Sequence, residues 1–383
     1  MTREREAAEE SRVDDDPAAT FDYAADEVAR PGLLADLEER VVGEVRFDTY
    51  TRQLYATDAS AYEVTPVGVV LPAHTDDVAA VVSYCADRGI PVLPRGGGTS
   101  LAGQTVNEAV VLDFTRHVDG VLEIDPEAQT ATVQAGCLLG TLNEALEPHG
   151  LKFAPDPAWG DKSAIGGAIG NNSTGSHSLE YGKTDHYVES CEVVFADGTV
   201  DRLGEVSVET IRAEADPEGS TLERVYAEVA AMLDEERSEI RDRFPQLKRN
   251  VSGYNLDRLV AEADGEYGEA GTVNLARLLA GSEGTLAVVT EATVSLEPIP
   301  ETKAVALLTY DSLQTAMADV EPILEHDPAA VEVMDDVLLD LARDTPEFAE
   351  VVGLLPEETD SVLLVEFYAE NDEAGREAVA RLL

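Results

Sequence analysis

Cysteine is nearly absent from this 383-residue chain: Cys85, Cys137 and Cys191 are its only three. So wide a spacing excludes a CxxC zinc site or a ferredoxin-like cluster built within the chain, and each thiol reads as a small buried residue. The six histidines form no HExxH or similar pair, so the sequence presents no metal site. No apolar run approaches the roughly 20 residues that span a bilayer. The opening MTREREAAEESRVDDD is too charged for a secretory signal, which makes a cytoplasmic location the expectation. Aromatic residues are sparse at 5%, but the hydrophobic share of 44% is ordinary for a globular protein of this length with two or three domains.

Positive charge is the other scarcity. Lys and Arg number 27 against 77 Asp and Glu, a net charge of −50. No basic stripe exists to neutralise phosphates, which excludes nucleic-acid binding. The acids are spread along the chain, even within apparent helices, rather than gathered in blocks for a basic partner. At roughly 1 M salt the Debye length is only about 3 Å, and the self-repulsion of such a surface largely disappears. The composition therefore reads as adaptation to a hypersaline cytoplasm.

Along the chain, residues 1–45 form an acidic N-terminal segment, with a first helical pattern from Pro31. Val67 to Leu71 reads as a strand ended by Pro72. Thr75 is expected to cap a helix whose apolar stripe is Val78, Val81, Val82 and Cys85, stopped by Gly89. Strands follow at Ile90–Leu93 and Ala109–Phe114, then a hairpin of Val121–Ile124 with Thr130–Gln134, and a helix over Leu138–Leu146. Glu189–Ala196 and Leu286–Leu296 read as further strands, with a helical insertion at about 204–245. Pro298 and Pro300 mark a boundary at 300. Beyond it, strands and helices alternate to a last helix that runs into Leu383.

Three stretches carry chemistry. In PRGGGTSLAGQ, residues 94–104, three consecutive glycines permit positive φ and leave no side chain to block a ligand, so successive N–H groups can converge on an anion. Thr99, Ser100 and Gln104 can add donors, and Arg95 either supplies charge or points into solvent. The stretch lacks the Lys-Ser/Thr of a P-loop and the GxGxxG spacing of a dinucleotide fingerprint. A purely structural turn explains the glycines alone equally well. In APDPAWGDKSAIGGAIGNNSTGSHSLEYG, residues 154–182, large side chains are nearly missing from Ala164 to Ser176. Backbone lying flat against a planar ligand accounts for that, and so does a flexible linker, against which Pro155, Pro157 and Trp159 speak. GSEGTLAVVTEATV, residues 281–294, sends Glu283 into a buried strand between Gly281 and Gly284.

Together and in this order, the three stretches resemble the FAD-linked oxidases of the vanillyl-alcohol oxidase and p-cresol methylhydroxylase superfamily, and within it the glycolate oxidase and D-lactate dehydrogenase branch. DASAYEVTPVGVVLPAHTDDVAAVV, residues 58–82, fits that family's opening strand and helix. KRNVSGYNLDRL, residues 248–259, fits the stretch before GSEG, so the likeness runs from about residue 45 to 300. It implies an α+β fold: a two-part FAD-binding domain of the p-cresol methylhydroxylase type over residues 46–300, then an incomplete beginning of an α+β substrate, or cap, domain over 301–383. It implies that Pro94, Arg95, Gly96, Gly97, Gly98, Thr99, Ser100, Leu101 and Gln104 wrap the FAD pyrophosphate. Pro155, Asp156, Pro157, Ser163, Ile165, Gly166, Gly167, Asn171, Asn172, Gly175, Tyr181 and Gly182 would line the flavin and ribityl side. Glu283, Gly284 and Val288 would sit near the adenine end or the second half of the domain, and Asn250 and Tyr254 would approach the isoalloxazine. No histidine occupies 94–104, so FAD is expected without a covalent link, Cys137 being the nearby candidate for one.

The activity so implied is oxidation of a small 2-hydroxy acid, of the D-lactate or glycolate type, to the 2-oxo acid by hydride transfer to flavin. The substrate carboxylate needs a cationic clamp and its hydroxyl proton a base. Relatives place these in a histidine-bearing motif downstream, which is absent here. His326, Arg343 and Arg376 read as solvated-face residues, and no catalytic base is named. One alternative is an FAD-holding subunit or fragment whose catalytic residues and electron acceptor, such as an iron–sulfur module, come from a missing C-terminal region or a partner. That partner would place the protein peripheral to the membrane. The other alternative is a non-enzymatic acidic binding protein.

Overall fold

A computed structural model describes residues 30–383 except 158, 246, 248, 249 and 357. The acidic segment before residue 30 and the Lys248–Arg249 start of KRNV lie outside the described residues. The fold is α+β and divides into two units: the first takes the chain up to Phe153, Trp159–Ser173 and Thr184–Leu296, the second Ala154–Ala158, Thr174–Lys183 and Glu297–Leu383.

The first unit carries two main sheets. One has four strands, β1 (Glu44–Arg46), β2 (Gly68–Leu71), β3 (Val92–Arg95) and β4 (Val110–Asp113), in the order β1-β2-β4-β3, with β2 and β3 parallel to β4. β2 and β4 are buried along their whole length, which explains their unbroken apolar runs. Helix α1 (Thr75–Ala86) buries Val78, Val81, Val82 and Cys85 in the same core as Val70, Val110 and Leu112, as its stripe predicts. Thr75, however, does not cap it. The cap position is His74, without a side-chain bond, and the Thr75 hydroxyl donates instead to Glu192 at 2.7 Å. The organising side chain is the buried Asp77, which accepts the N–H groups of Val42, Gly43 and Ala73 at 2.8–2.9 Å.

The second sheet is antiparallel throughout: β5 (Val121–Asp125), β6 (Thr130–Gln134), β7 (Val188–Val194), β8 (Val200–Leu203) and β9 (Val288–Ser295), in the order β5-β6-β9-β7-β8. Every second residue of β9 is buried, the period of a strand with one face on a core. Helix α2 (Leu139–Leu146) buries Leu139, Leu142 and Leu146. The expected insertion contains helices Val208–Glu214, Thr221–Ala231 and Arg237–Arg243.

The second unit is built on an antiparallel sheet of β10 (Thr302–Tyr310), β11 (Ala330–Met334) and β12 (Ser361–Ala369), with β12 in the middle. Ala316 and Ile323, from the helix Leu313–Leu324, and Ala378, from the helix Asp372–Leu382, pack on Leu363, Val365 and Phe367 of β12. Among the described residues no helix is long and apolar enough to cross a membrane, and no group of His, Cys, Asp and Glu could hold a metal ion.

Candidate cofactor site

The glycine loop leaves β3 and immediately meets the second motif. A Cβ on Gly96 would stand 2.6 Å from that of Ala164, and one on Gly97 only 1.7 Å from the Lys162 carbonyl oxygen. Gly98 adopts φ +65°, a left-handed conformation that favours glycine. The loop is thus pressed onto residues 162–164, and the Thr99 and Ser163 hydroxyls bond across the contact at 3.0 Å. Among the described residues, no acceptor receives the N–H groups of Gly97, Gly98, Thr99, Ser100 or Leu101. Successive free donors on one loop suit an anionic ligand.

Arg95 neither faces solvent nor holds its charge free. Its guanidinium donates to the carbonyls of Tyr55 at 3.3 Å, Thr105 at 3.0 Å and Thr57 at 2.8 Å. Burial pushes its pKa down, while Asp113 and Asp58 act the other way. The side chain braces both ends of the loop.

The first half of the small-residue stretch folds as helix α3 (Ile165–Asn171), whose Ile165, Ala168 and Ile169 are buried at i, i+3 and i+4. Its start is tied to the end of β6 by Gly166 N–H to Ala135 O at 2.8 Å and Ile165 N–H to Cys137 O at 2.9 Å. Gly166 lies against Ala135, where a Cβ would come within 3.0 Å, whereas a Cβ on Gly167 would meet nothing within 4 Å. Gly167 and Asn171 are therefore the exposed face of the helix. The Gln104 amide reaches the Asn171 Oδ1 at 3.5 Å, while Gln104 Oε1 is buried without a hydrogen-bond partner. Asn172, left-handed at φ +47°, accepts the Asp185 N–H at 3.0 Å, and Asp185 accepts from Asn255 at 3.0 Å.

The third motif docks on the same helix. Gly281 N–H donates to Ile169 O at 3.1 Å and Glu283 N–H to Gly170 O at 2.9 Å. Glu283 holds φ +52°, a conformation costing a non-glycine residue about 1–3 kcal/mol. A Cβ on Gly284 would stand 2.7 Å from the Pro94 ring, so the first and third motifs also touch. Val288 is buried in the core below. Tyr254 donates to or accepts from Thr285 at 3.0 Å, beside this turn. Residues 94–104, 163–172 and 281–284 are thus one assembly.

Pro155, Asp156, Pro157, Gly175, Tyr181 and Gly182 belong to the second unit. There Gly175 packs on Asp156, whose carbonyl oxygen would be 2.1 Å from an added Cβ. Burial pushes the Tyr181 phenol up to about 12, and its ring lies 5.8 Å from that of Tyr368. The residue that sequence reasoning missed is His177, hydrogen-bonded to Asp156 and, at 2.9 Å, to Glu366. Its position between Gly175 and Gly182, in a motif already singled out, was the available signal. His326, Arg343 and Arg376 are exposed. Cys137 is fully buried, and burial pushes its thiol up to about 11, away from the thiolate that a covalent tether requires.

Residues 66–204 match the model of an FAD binding domain, and residues 299–383 that of the C-terminal domain of FAD linked oxidases. The D-2-hydroxyglutarate dehydrogenase of Escherichia coli is 32% identical over 350 residues, 89% of this chain and 34% of its own length. Glycolate oxidase subunit GlcD of Bacillus subtilis is 32% identical over 343 residues, 87% of this chain and 59% of its own. D-lactate dehydrogenase of Archaeoglobus fulgidus is 30% identical over 270 residues, 70% and 47%. The chain spans about a third of the length of the D-2-hydroxyglutarate dehydrogenases that it matches. Among solved structures, an alkyldihydroxyacetonephosphate synthase superposes with a TM-score of 0.64 at 16% identity, covering 95% of this chain and 61% of the other, which shows a shared fold.

Proposed function

We propose that this chain, which belongs to the FAD-linked oxidases of the p-cresol methylhydroxylase type and takes FAD as its cofactor, acts in the oxidation of a small 2-hydroxy acid to the 2-oxo acid. The observation that carries the reading is the assembly of three glycine-bearing stretches, one of them a loop in which the N–H groups of Gly97 to Leu101 have no acceptor among the described residues. In this reading the N–H groups of Gly97 to Leu101, with the Thr99 and Ser163 hydroxyls, hold the pyrophosphate, and the bare face of α3 at Gly167 and Asn171 receives the ligand's flat or ribityl portion. Gln104 Oε1, buried without a donor, would take a ligand hydroxyl. Pro94 and Gly284 close the loop from behind, and Arg95 keeps it rigid. When bound, FAD supplies the acceptor for the substrate's α-hydrogen. The cradle orients it without a covalent bond, in keeping with the buried Cys137. D-lactate, glycolate and D-2-hydroxyglutarate are the substrates to try, because the relatives' names carry them.

A second reading is favoured by the solvent-facing His326, Arg343 and Arg376. In it the chain holds FAD, while the base, the carboxylate clamp and the electron acceptor come from other residues or a partner. One experiment separates the readings. The protein is purified at high ionic strength, its visible spectrum is recorded with and without added FAD, and the three acids are added in turn without oxygen. Flavin absorption bleached by one of them supports the first reading. Bound flavin that none of them bleaches supports the second. A colourless protein that takes up no FAD overturns both.

A further inference from the structure

The second unit holds an ionisable cluster centred on His177. His177 Nδ1 bonds Asp156 Oδ2, and its Nε2 lies 2.9 Å from Glu366 Oε1. The imidazole side chain is only 12% exposed and stacks on Tyr368 with ring centroids 5.5 Å apart and planes 21° apart. The partners come from three places in the chain: Asp156 from segment 154–158, His177 from segment 174–183, Glu366 and Tyr368 from β12. Lys303 of β10 lies 3.4 Å from Glu366 Oε1 and 5.4 Å from the Tyr368 ring. Ser176 Oγ is 3.5 Å from His177 Nδ1. Tyr181 faces Tyr368, with Glu180, Glu297 and Asp156 acting on its phenol.

Protons can be counted here. A neutral imidazole carries one N–H, yet both ring nitrogens face carboxylate oxygens. A neutral ring would donate to one carboxylate and turn a lone pair on the other. Satisfying both contacts takes one additional proton on the cluster, and the ring is the group placed to share it with either side. Asp156 Oδ1 is buried without a hydrogen-bond partner, so Asp156 leans on His177. Glu366 has Lys303 as well, which makes the Asp156 side the one more sensitive to the ring's charge.

We propose that His177 is a positioning residue, a protonated clamp that fastens segments 154–158 and 174–183 to β12 and loosens them when the proton leaves. The bearing of this on the cofactor rests on the family resemblance, which implies that Asp156, Gly175, Tyr181 and Gly182 line the flavin and ribityl side.

The test compares the full chain with His177→Gln and His177→Arg at high salt. Arginine offers donors to two carboxylates and keeps its charge at every accessible pH. Hydrogen exchange of peptides covering the two segments, corrected for intrinsic rates, is followed alongside the NMR titration of the His177 ring. FAD affinity is measured over the same pH range. The clamp predicts that protection in both segments falls as the ring titrates, and that FAD binding weakens by about tenfold, the scale of one charge-assisted hydrogen bond. In His177→Arg both readouts should be flat with pH, and in His177→Gln protection should be low throughout. Wild-type protection that ignores the titration overturns the clamp, as does a His177→Gln variant protected like wild type. Should His177→Gln not fold, the wild-type and arginine profiles still decide. If FAD does not bind at all, the cofactor reading fails while exchange in the ligand-free chain continues to judge the clamp.

Discussion

Two glycines fifty and more residues apart set the most direct test of the cradle. An alanine at Gly97 would drive its methyl into the Lys162 carbonyl, whereas one at Gly167 enters open space. Gly97→Ala should therefore destabilise the first unit by about 1–3 kcal/mol, the usual cost of overpacking, and weaken FAD binding with it. Gly167→Ala should hold or slightly raise the thermal melt, since alanine favours the helix, and still weaken FAD binding, because its methyl would enter the proposed cofactor site. Melting curves paired with FAD titrations check both; wild-type FAD affinity in Gly167→Ala would remove α3 from the site. At this scale the sequence showed where glycine is concentrated but not what each glycine does. Gly166 serves packing against Ala135, and Gly167 leaves a surface bare, though they are neighbours. Arg95 could not be placed from sequence because two of its three acceptors, the Tyr55 and Thr57 carbonyls, are distant in the chain. His177 was invisible as a cluster for the same reason: Glu366 is 189 positions away.

Helices and strands were legible where burial follows a period. The α1 stripe, the β5–β6 hairpin and the alternation of β9 stand in the sequence because each element has one apolar face. Helix α3 was not legible. Its buried Ile165, Ala168 and Ile169 have helical spacing, but three glycines in seven residues argue against a helix by propensity, and tertiary hydrogen bonds to Ala135 and Cys137 override them. The start of α1 was misread for a related reason: Thr75 is a good cap by type, yet Asp77 does more from two positions further on, holding three N–H groups outside the helix. Asp77→Ala should leave those donors without their acceptor and cost about 2–4 kcal/mol. Asp77→Asn, which keeps one oxygen, should lose less. Urea unfolding that shows a lower midpoint at an unchanged slope would be the expected result.

Across the whole molecule, charge of one sign predominates. With a net charge of −50, repulsion acts over a Debye length of about 10 Å at 0.1 M salt and about 3 Å at 1 M. The melting temperature should rise steadily as KCl is raised from about 0.1 M to beyond 1 M, and FAD retention with it; a melt indifferent to salt would set the hypersaline reading aside. The charge imbalance itself is read from composition without any structure. The assignment of 154–158 and 174–183 to the second unit was not readable, because no local pattern records which distant strand a short segment joins.

That weaving of the chain has its own consequence. Because the polypeptide leaves the first unit at Phe153, comes back at Trp159, leaves again at Ser173 and comes back at Thr184, no single cut yields two self-sufficient halves. A protease nick near Leu296 would strand Asp156 and His177 on one product and Glu366 on the other. Synthesis follows the same logic: a ribosome must deliver β12 before the two short segments threaded out more than a hundred and fifty residues earlier can find their seat.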